Sequence, residues 1–323
     1  PPAIKASHLG IYSLVLALPL LGAALPVPLA RSALRRFVVA AGLVATLLLL
    51  DHADALPPSP LWRTTIDAEG NQRIAMSMLL GLGAAIGLWH GTQACTLAER
   101  LGWLALAVLI ALGLSLQSRR TGFIVLPLAM VVWALATQSS WRRRLGIVLT
   151  IALCCASIWQ LSDNVRARFA EGVAEVRQYE SVDTVSTSWG QRLRMIEVTA
   201  AMVRERPWSG YGIGSWQLLW QQRTAPGTML HSHTTPHNEY LQQAHQAGVP
   251  AALMLLWLIG AAVRAALHAR QKGVPSLMVW TALACVASFN VVLRDAKFAL
   301  PLLILAACAA AAQRDGPHGR GSA

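Results

Sequence analysis

The chain has 323 residues, of which 55% are hydrophobic and only 13% charged, with a mean hydropathy of +0.47. That composition excludes a water-soluble domain folded around one ordinary core, where about a quarter of residues are charged. The formal net charge of +12 would suit a nucleic-acid partner only if it were gathered on one polar surface, and it is not.

Runs of about 17–25 apolar residues mark bilayer spans. Nine candidates follow one another at 9–27, 34–50, 74–95, 100–117, 121–138, 145–161, 250–268, 275–292 and 298–313. The pattern predicts an all-α polytopic integral membrane protein. Residues 1–161 hold six spans, 162–249 form a helical loop domain, 250–313 hold three more spans, and 314–323 are a tail.

The basic residues sort by side of the membrane. One set of alternate short loops carries twelve basic residues, among them Arg35, Arg142, Arg143, Arg144, Arg270 and Lys272, against Glu99 and Asp315. The opposite set carries seven against five, and segment 162–249 carries eight against eight. Positive loops stay in the cytoplasm, so the long loop is expected outside it and the C-terminus inside. The excess charge is topogenic and no nucleic acid is implied. The same sorting puts Pro1 outside, so an odd number of further helices is expected ahead of it. All five cysteines fall in or beside apolar spans, which leaves no disulfide framework and no thiolate metal site.

Within the loop, Val165, Phe169, Val173 and Val176 recur at helical spacing and predict an amphipathic helix. A Ser/Thr-rich linker follows at 181–188. The next helix is expected over 191–205, with Leu193, Ile196, Ala200 and Val203 on one face and Pro207 as its stop. The glycines of G-Y-G-I-G-S-W (Gly210, Gly212, Gly214) predict a tight turn before a short helix near 215–222. No strand precedes them, so a dinucleotide loop fails its context test. Residues 223–235 read as irregular. In P-H-N-E-Y-L-Q-Q-A-H-Q-A-G-V-P, Thr235 is the expected N-cap, Pro236 the first helical residue and Gly248 the C-terminal stop. His237 then falls in the first turn, where the helix dipole favours the neutral imidazole that a general base requires.

Arg119 and Arg120 lie in the turn S-R-R-T-G on the outer side, where positive residues are under-used. They either anchor the span by snorkelling or bind an anion, for which arginine's planar fork suits pyrophosphate. By spacing alone, Arg192 and Arg194 read as a solvated helix face or as partners of Glu197. His231, His233, His237 and Glu239 have the side chains of a metal site, but their spacing matches no zinc signature. No charge falls at the middle of a span, and no inverted repeat shows, which speaks against an ion-coupled transporter.

Three local patterns coincide: S-R-R-T-G opening an outer-facing span, Q-R-L-R-M-I-E-V followed by R-P-W-S-G-Y-G-I-G-S-W, and P-H-N-E-Y-L-Q-Q-A-H-Q-A-G-V-P. Together, over about 115–265, they resemble the O-antigen ligase/polymerase superfamily. The resemblance implies a GT-C-like fold of about twelve membrane helices, in the bacterial inner membrane with a periplasmic active site. It implies transfer from undecaprenyl-pyrophosphate-linked O-antigen to lipid A–core oligosaccharide, among membrane lipids. His237 matches the family's catalytic histidine. Arg120, with Arg119 beside it, and Arg192 match its two arginines, which would bind the donor pyrophosphate. Glu239, Asn238 and Arg194 are secondary candidates. No acidic cluster suited to Mg²⁺ accompanies the arginines, so neither a metal nor another cofactor is expected. The single compact outer loop favours a ligase over an O-antigen polymerase or a protein O-oligosaccharyltransferase.

Overall fold

A computed structural model describes residues 18, 20–66, 70–117, 121–161, 166, 167, 170, 173, 174, 188–226 and 229–314. Among them the regular structure is helical throughout. The helices are α1 (Val27–His52), α2 (Pro60–Ile66), α3 (Gly70–Gln93), α4 (Leu97–Ser115), α5 (Thr121–Thr137), α6 (Trp141–Leu161), α7 (Ser188–Glu205), α8 (Trp216–Gln222), α9 (Glu239–Ala247), α10 (Val249–His268), α11 (Val274–Ala287) and α12 (Ala296–Ala312). One-turn 3-10 segments lie at Met229–Ser232 and Arg270–Gly273.

Among the described residues, four helices are long and apolar enough to cross a membrane: α1, α3 from Gln72 onward, α4 and α10; α5 and α12 are apolar but shorter. About half of the predicted stretch 9–27 lies outside the described residues, as do Arg119, Arg120 and most of the amphipathic helix expected around 165–176. The stretch expected over 275–292 is corrected. Its helix stops at Ala287, and the chain continues irregularly with Asn290, Val291, Val292 and Leu293 buried. Tertiary hydrogen bonds take the backbone there: Ser288 O accepts from Asn238 Nδ2 and Leu293 N–H donates to Glu239. These compete with continuation of the helix.

The described chain divides into two compact units, one within 148–259 and 287–294, the other within 13–147, 260–286 and 295–323. In the second, α3 packs on α1, α4 and α5. Small residues let the backbones approach: a Cβ added at Gly83 would come 2.7 Å from Ala41 Cβ, and one at Gly113 2.5 Å from Ala45 Cβ. Close approach through small residues is how helices associate where lipid offers no hydrophobic drive.

The Thr-Gly pair that opens α5 has the same use. Gly122 N–H donates to Ser77 Oγ on α3 at 2.9 Å, and an added Cβ would meet Ser77 O at 2.3 Å. Gly122→Ala is therefore expected to destabilise by about 1–3 kcal/mol through overpacking. Gly102→Ala, where nothing lies within 4 Å, should be neutral or stabilise by up to ~1 kcal/mol. Thermal melts in detergent compare the two.

In the first unit the core is Met195, Val198 and Met202 of α7, Trp216 and Trp220 of α8, and Leu230. The two indoles stack at 5.0 Å. Their N–H groups, which burial would otherwise leave costly, donate to Thr199 Oγ1 (2.9 Å) and Leu230 O (2.6 Å). The buried face of α7 is thus not the one that carries Leu193, Ile196, Ala200 and Val203. Gln191, Met195, Val198, Thr199 and Met202 are buried, whereas Ile196 is 38% exposed. α7 carries apolar stripes on opposite faces, and the tryptophan pair takes the one with the two methionines.

Candidate active site

The glycine-rich turn and the end of α9 are joined backbone to backbone. Tyr211 N–H donates to His245 O (2.8 Å), Gly212 N–H to Gln246 O (2.9 Å), and Val249 N–H to Pro207 O (2.7 Å). Gly210 and Gly248 both have positive φ, +62° and +84°, and both sit where a Cβ would collide with the opposite strand of the joint. The joint is tied from outside by the Tyr211 hydroxyl on Glu205 and by Arg223 on the same carboxylate at 2.7 Å. Both bonds hold the exposed Glu205 carboxyl below its ordinary range, that of Tyr211 most.

His245 lies inside the joint, stacked on Tyr211 at 5.3 Å. Ser215 Oγ donates to Gly212 O (2.7 Å), so its 3.1 Å contact with His245 must be a bond from His245 Nε2–H. Burial first, then the charge of Arg223, depresses this histidine's pKa to about 4. The unfolded chain would take a proton near pH 6.5. The native state is therefore fully favoured above that pH and loses stability as pH falls from 6.5 toward 4, by at most ~1.4 kcal/mol per pH unit for this group. His245→Gln should flatten the dependence of Tm on pH across that window, read by thermal denaturation from pH 7 to 4.5.

At its other end α9 corrects one expectation. Asn238, not Thr235, is the N-cap: its Oδ1 accepts from Leu241 N–H at 2.9 Å. Asparagine is the stronger cap, and its amide also holds Ser288 O at 2.8 Å. His237 therefore precedes the helix, with φ +49°, a left-handed conformation that histidine tolerates better than most residues. The helix dipole is not what keeps it neutral. Burial does so, followed by the charges of Arg192 and then His233; the Asn290 side chain near the ring opposes them, and the pKa comes to about 4.

Arg192, in the first turns of α7, thus bears electrostatically on both His237 and His233. The His233 ring meets His237 edge-on at 5.7 Å. Gln191 Oε1 accepts from His233 Nε2–H at 3.0 Å, and burial, then Arg192, lowers the His233 pKa. The result is two neutral imidazoles beside a guanidinium, all in one compact unit. A guanidinium can hold an anion there, and a neutral imidazole can take a proton.

The secondary candidates have structural partners. Glu239 is fully buried; it accepts from Leu293 N–H (2.9 Å) and Gln243 (2.7 Å), and desolvation raises its pKa. Arg194 pairs with Glu197 at 3.0 Å. His231 contacts Thr224 at 3.4 Å. Among the described residues no group of three or more His, Cys, Asp or Glu side chains is arranged to hold a metal ion, so the four residues weighed as ligands do not form a cluster. Arg119 and Arg120 lie outside the described residues.

Sequence reasoning missed Gln191 and Asn290. Asn290 carried a signal: a carboxamide inside a predicted span, four residues before an arginine.

Residues 105–256 match a family model described as O-antigen ligase. The match takes in Arg192, His233 and His237. No curated protein matches the chain significantly.

Proposed function

Because residues 105–256 place the chain in the O-antigen ligase superfamily, we propose that it is an inverting, metal-independent glycosyltransferase joining O-antigen from undecaprenyl pyrophosphate to lipid A–core oligosaccharide. Membership makes it a glycosyltransferase-like membrane enzyme with polysaccharide and lipid substrates. The donor, acceptor and mechanism are our reading, and with them a site on the periplasmic face of the inner membrane within nine visible membrane helices. What supports this reading is that Arg192 acts electrostatically on the buried, neutral His237, whose ring meets His233 at 5.7 Å, all within the matched segment.

Arg192, with Arg120 and its neighbour Arg119, binds the donor pyrophosphate. The bond from the anomeric carbon to the pyrophosphate oxygen breaks, and its electron pair leaves with the pyrophosphate. The acceptor hydroxyl oxygen bonds to that carbon from the opposite face, which inverts it. His237 takes the hydroxyl proton. Guanidinium charge helps most where negative charge grows, on the departing oxygen.

The test is ligation by purified protein in lipid bilayers, with both substrates and EDTA. Arg192→Ala should reduce product formation by about 10²–10³-fold, the loss typical of removing one group that stabilises developing charge. Arg192→Lys should not restore it, since lysine lacks the bidentate fork. Activity lost to EDTA would refute metal independence. Elongation of donor without acceptor would assign the polymerase reaction instead.

A further inference from the structure

Residues 288–294 run alongside residues 234–239. Asn238 Nδ2 donates to Ser288 O and Leu293 N–H to Glu239 Oε2; the Arg294 guanidinium donates to Thr234 O. Asn290 lies between these ties, 2% exposed. Its Oδ1 is enclosed and receives no hydrogen bond of full geometry from any described residue. A buried acceptor left in that state costs about 1–3 kcal/mol, and such atoms in folded proteins call for an explanation. The same side chain lies close enough to the His237 ring to favour its protonated form. The acceptor thus lies beside the imidazole with its bond incomplete, and a ring N–H turned to face it completes it.

We propose that Asn290 is a positioning residue for His237: its side-chain oxygen holds one ring N–H, so that the other ring nitrogen presents its lone pair to the acceptor hydroxyl. The inference rests on the reading of His237 as the base. When His237 takes the proton, both ring nitrogens carry hydrogen, and the one facing Asn290 stays bonded to Oδ1 while the other releases its proton after transfer. A carboxamide fixes the tautomer without adding a negative charge, as Gln191 does for His233. The charged and titratable groups about His237 are Arg192 of α7, His233 of its own segment, Glu239 of α9 and Arg294 of the facing segment. Glu239 is committed to Leu293 and Gln243.

The experiment compares Asn290→Ala and Asn290→Asp with wild type. Steady-state transfer is measured against pH, and ring-¹⁵N histidine NMR gives the tautomer of His237, assigned by the signal lost in His237→Ala. Melting temperatures confirm folding, and Asn290→Ser replaces a variant that does not fold. Asn290→Ala should lower kcat about 10–100-fold, as removal of a partner that orients a functional histidine does. Both KM values should stay within about threefold, and the His237 signal should become a mixture of tautomers. Asn290→Asp should recover part of the rate and move the acidic limb of kcat/KM upward by about one pH unit or more, because a carboxylate favours imidazolium. Wild-type kcat, pH profile and tautomer in both variants would overturn the proposal. Full activity in His237→Ala would instead sink the base reading. The tautomer in Asn290→Ala would then still decide whether Asn290 orients the ring.

Discussion

His237→Ala is expected to lower glycosyl transfer by about 10²–10⁴-fold, the contribution of a positioned general base, with the protein still folded. The pH dependence should carry a sharper signature. In the free protein the ring is held at about 4 by burial, by Arg192 and by His233. It is neutral at pH 7 but a weak base. A pyrophosphate bound at Arg192 offsets the guanidinium charge, and an anion beside the ring favours its protonated form. Donor binding should therefore raise the pKa toward the working pH, where a general base is most effective. The acidic limb of kcat/KM reports the free enzyme and that of kcat the complex. The kcat limb should lie at the higher pH, and Arg192→Ala should raise the limb of kcat/KM in any residual activity. Coincident limbs, or a limb that survives in His237→Ala, would reject this coupling.

Much of this was readable in the residues, and what was not has physical causes. The helix expected over 191–205, its stop at Pro207 and the short helix near 215–222 follow from periodicity and from proline and glycine chemistry, which are local; the observed helices are Ser188–Glu205 and Trp216–Gln222. The inner face of α7 did not follow, because Leu193, Ile196, Ala200 and Val203 make as regular a stripe as Met195, Val198 and Met202. Only the stacked Trp216–Trp220 pair decides between them. The cap of α9 was misplaced by one short segment. Thr235 followed by Pro236 is a sound local start, but Asn238 binds both Leu241 N–H and Ser288 O, and the second partner is fifty residues away. Asn290 was hidden by the same distance. An apolar run reads as a span whether or not its last turn has been claimed by hydrogen bonds from elsewhere. Arg192 was legible only through resemblance, since a helical arginine carries no signal by spacing; His237 was singled out by a helix start that lies instead at Asn238.

The second large effect concerns the glycines, and it separates two meanings of one motif. Gly210, Gly212 and Gly214 all have positive φ, so a phosphate-loop reading and a turn reading explain their conformation equally well. Their surroundings differ. A Cβ at Gly210 would lie 2.6 Å from His245 O, and one at Gly248 2.4 Å from Trp208 O, whereas Gly212 has nothing within 4 Å. Gly212→Ala should therefore cost only the strain of the left-handed backbone, about 1–2 kcal/mol. Gly210→Ala and Gly248→Ala add backbone collision to strain and should each cost more than ~3 kcal/mol, a large part of the ~5–15 kcal/mol that holds a typical protein folded. Thermal melts of the three variants give the order. The joint they form sets α9 against the turn that ends α7, and those helices carry His237 and Arg192 at their far ends. A misplacement of about 1 Å in a reacting group can cost about 10²-fold in rate. Where Gly210→Ala still folds at low temperature, its transfer rate should fall by more than its folded fraction does. Equal losses in all three variants, or a rate that simply tracks the folded fraction, would show that the turn is a hinge of convenience and that the site is positioned by other contacts.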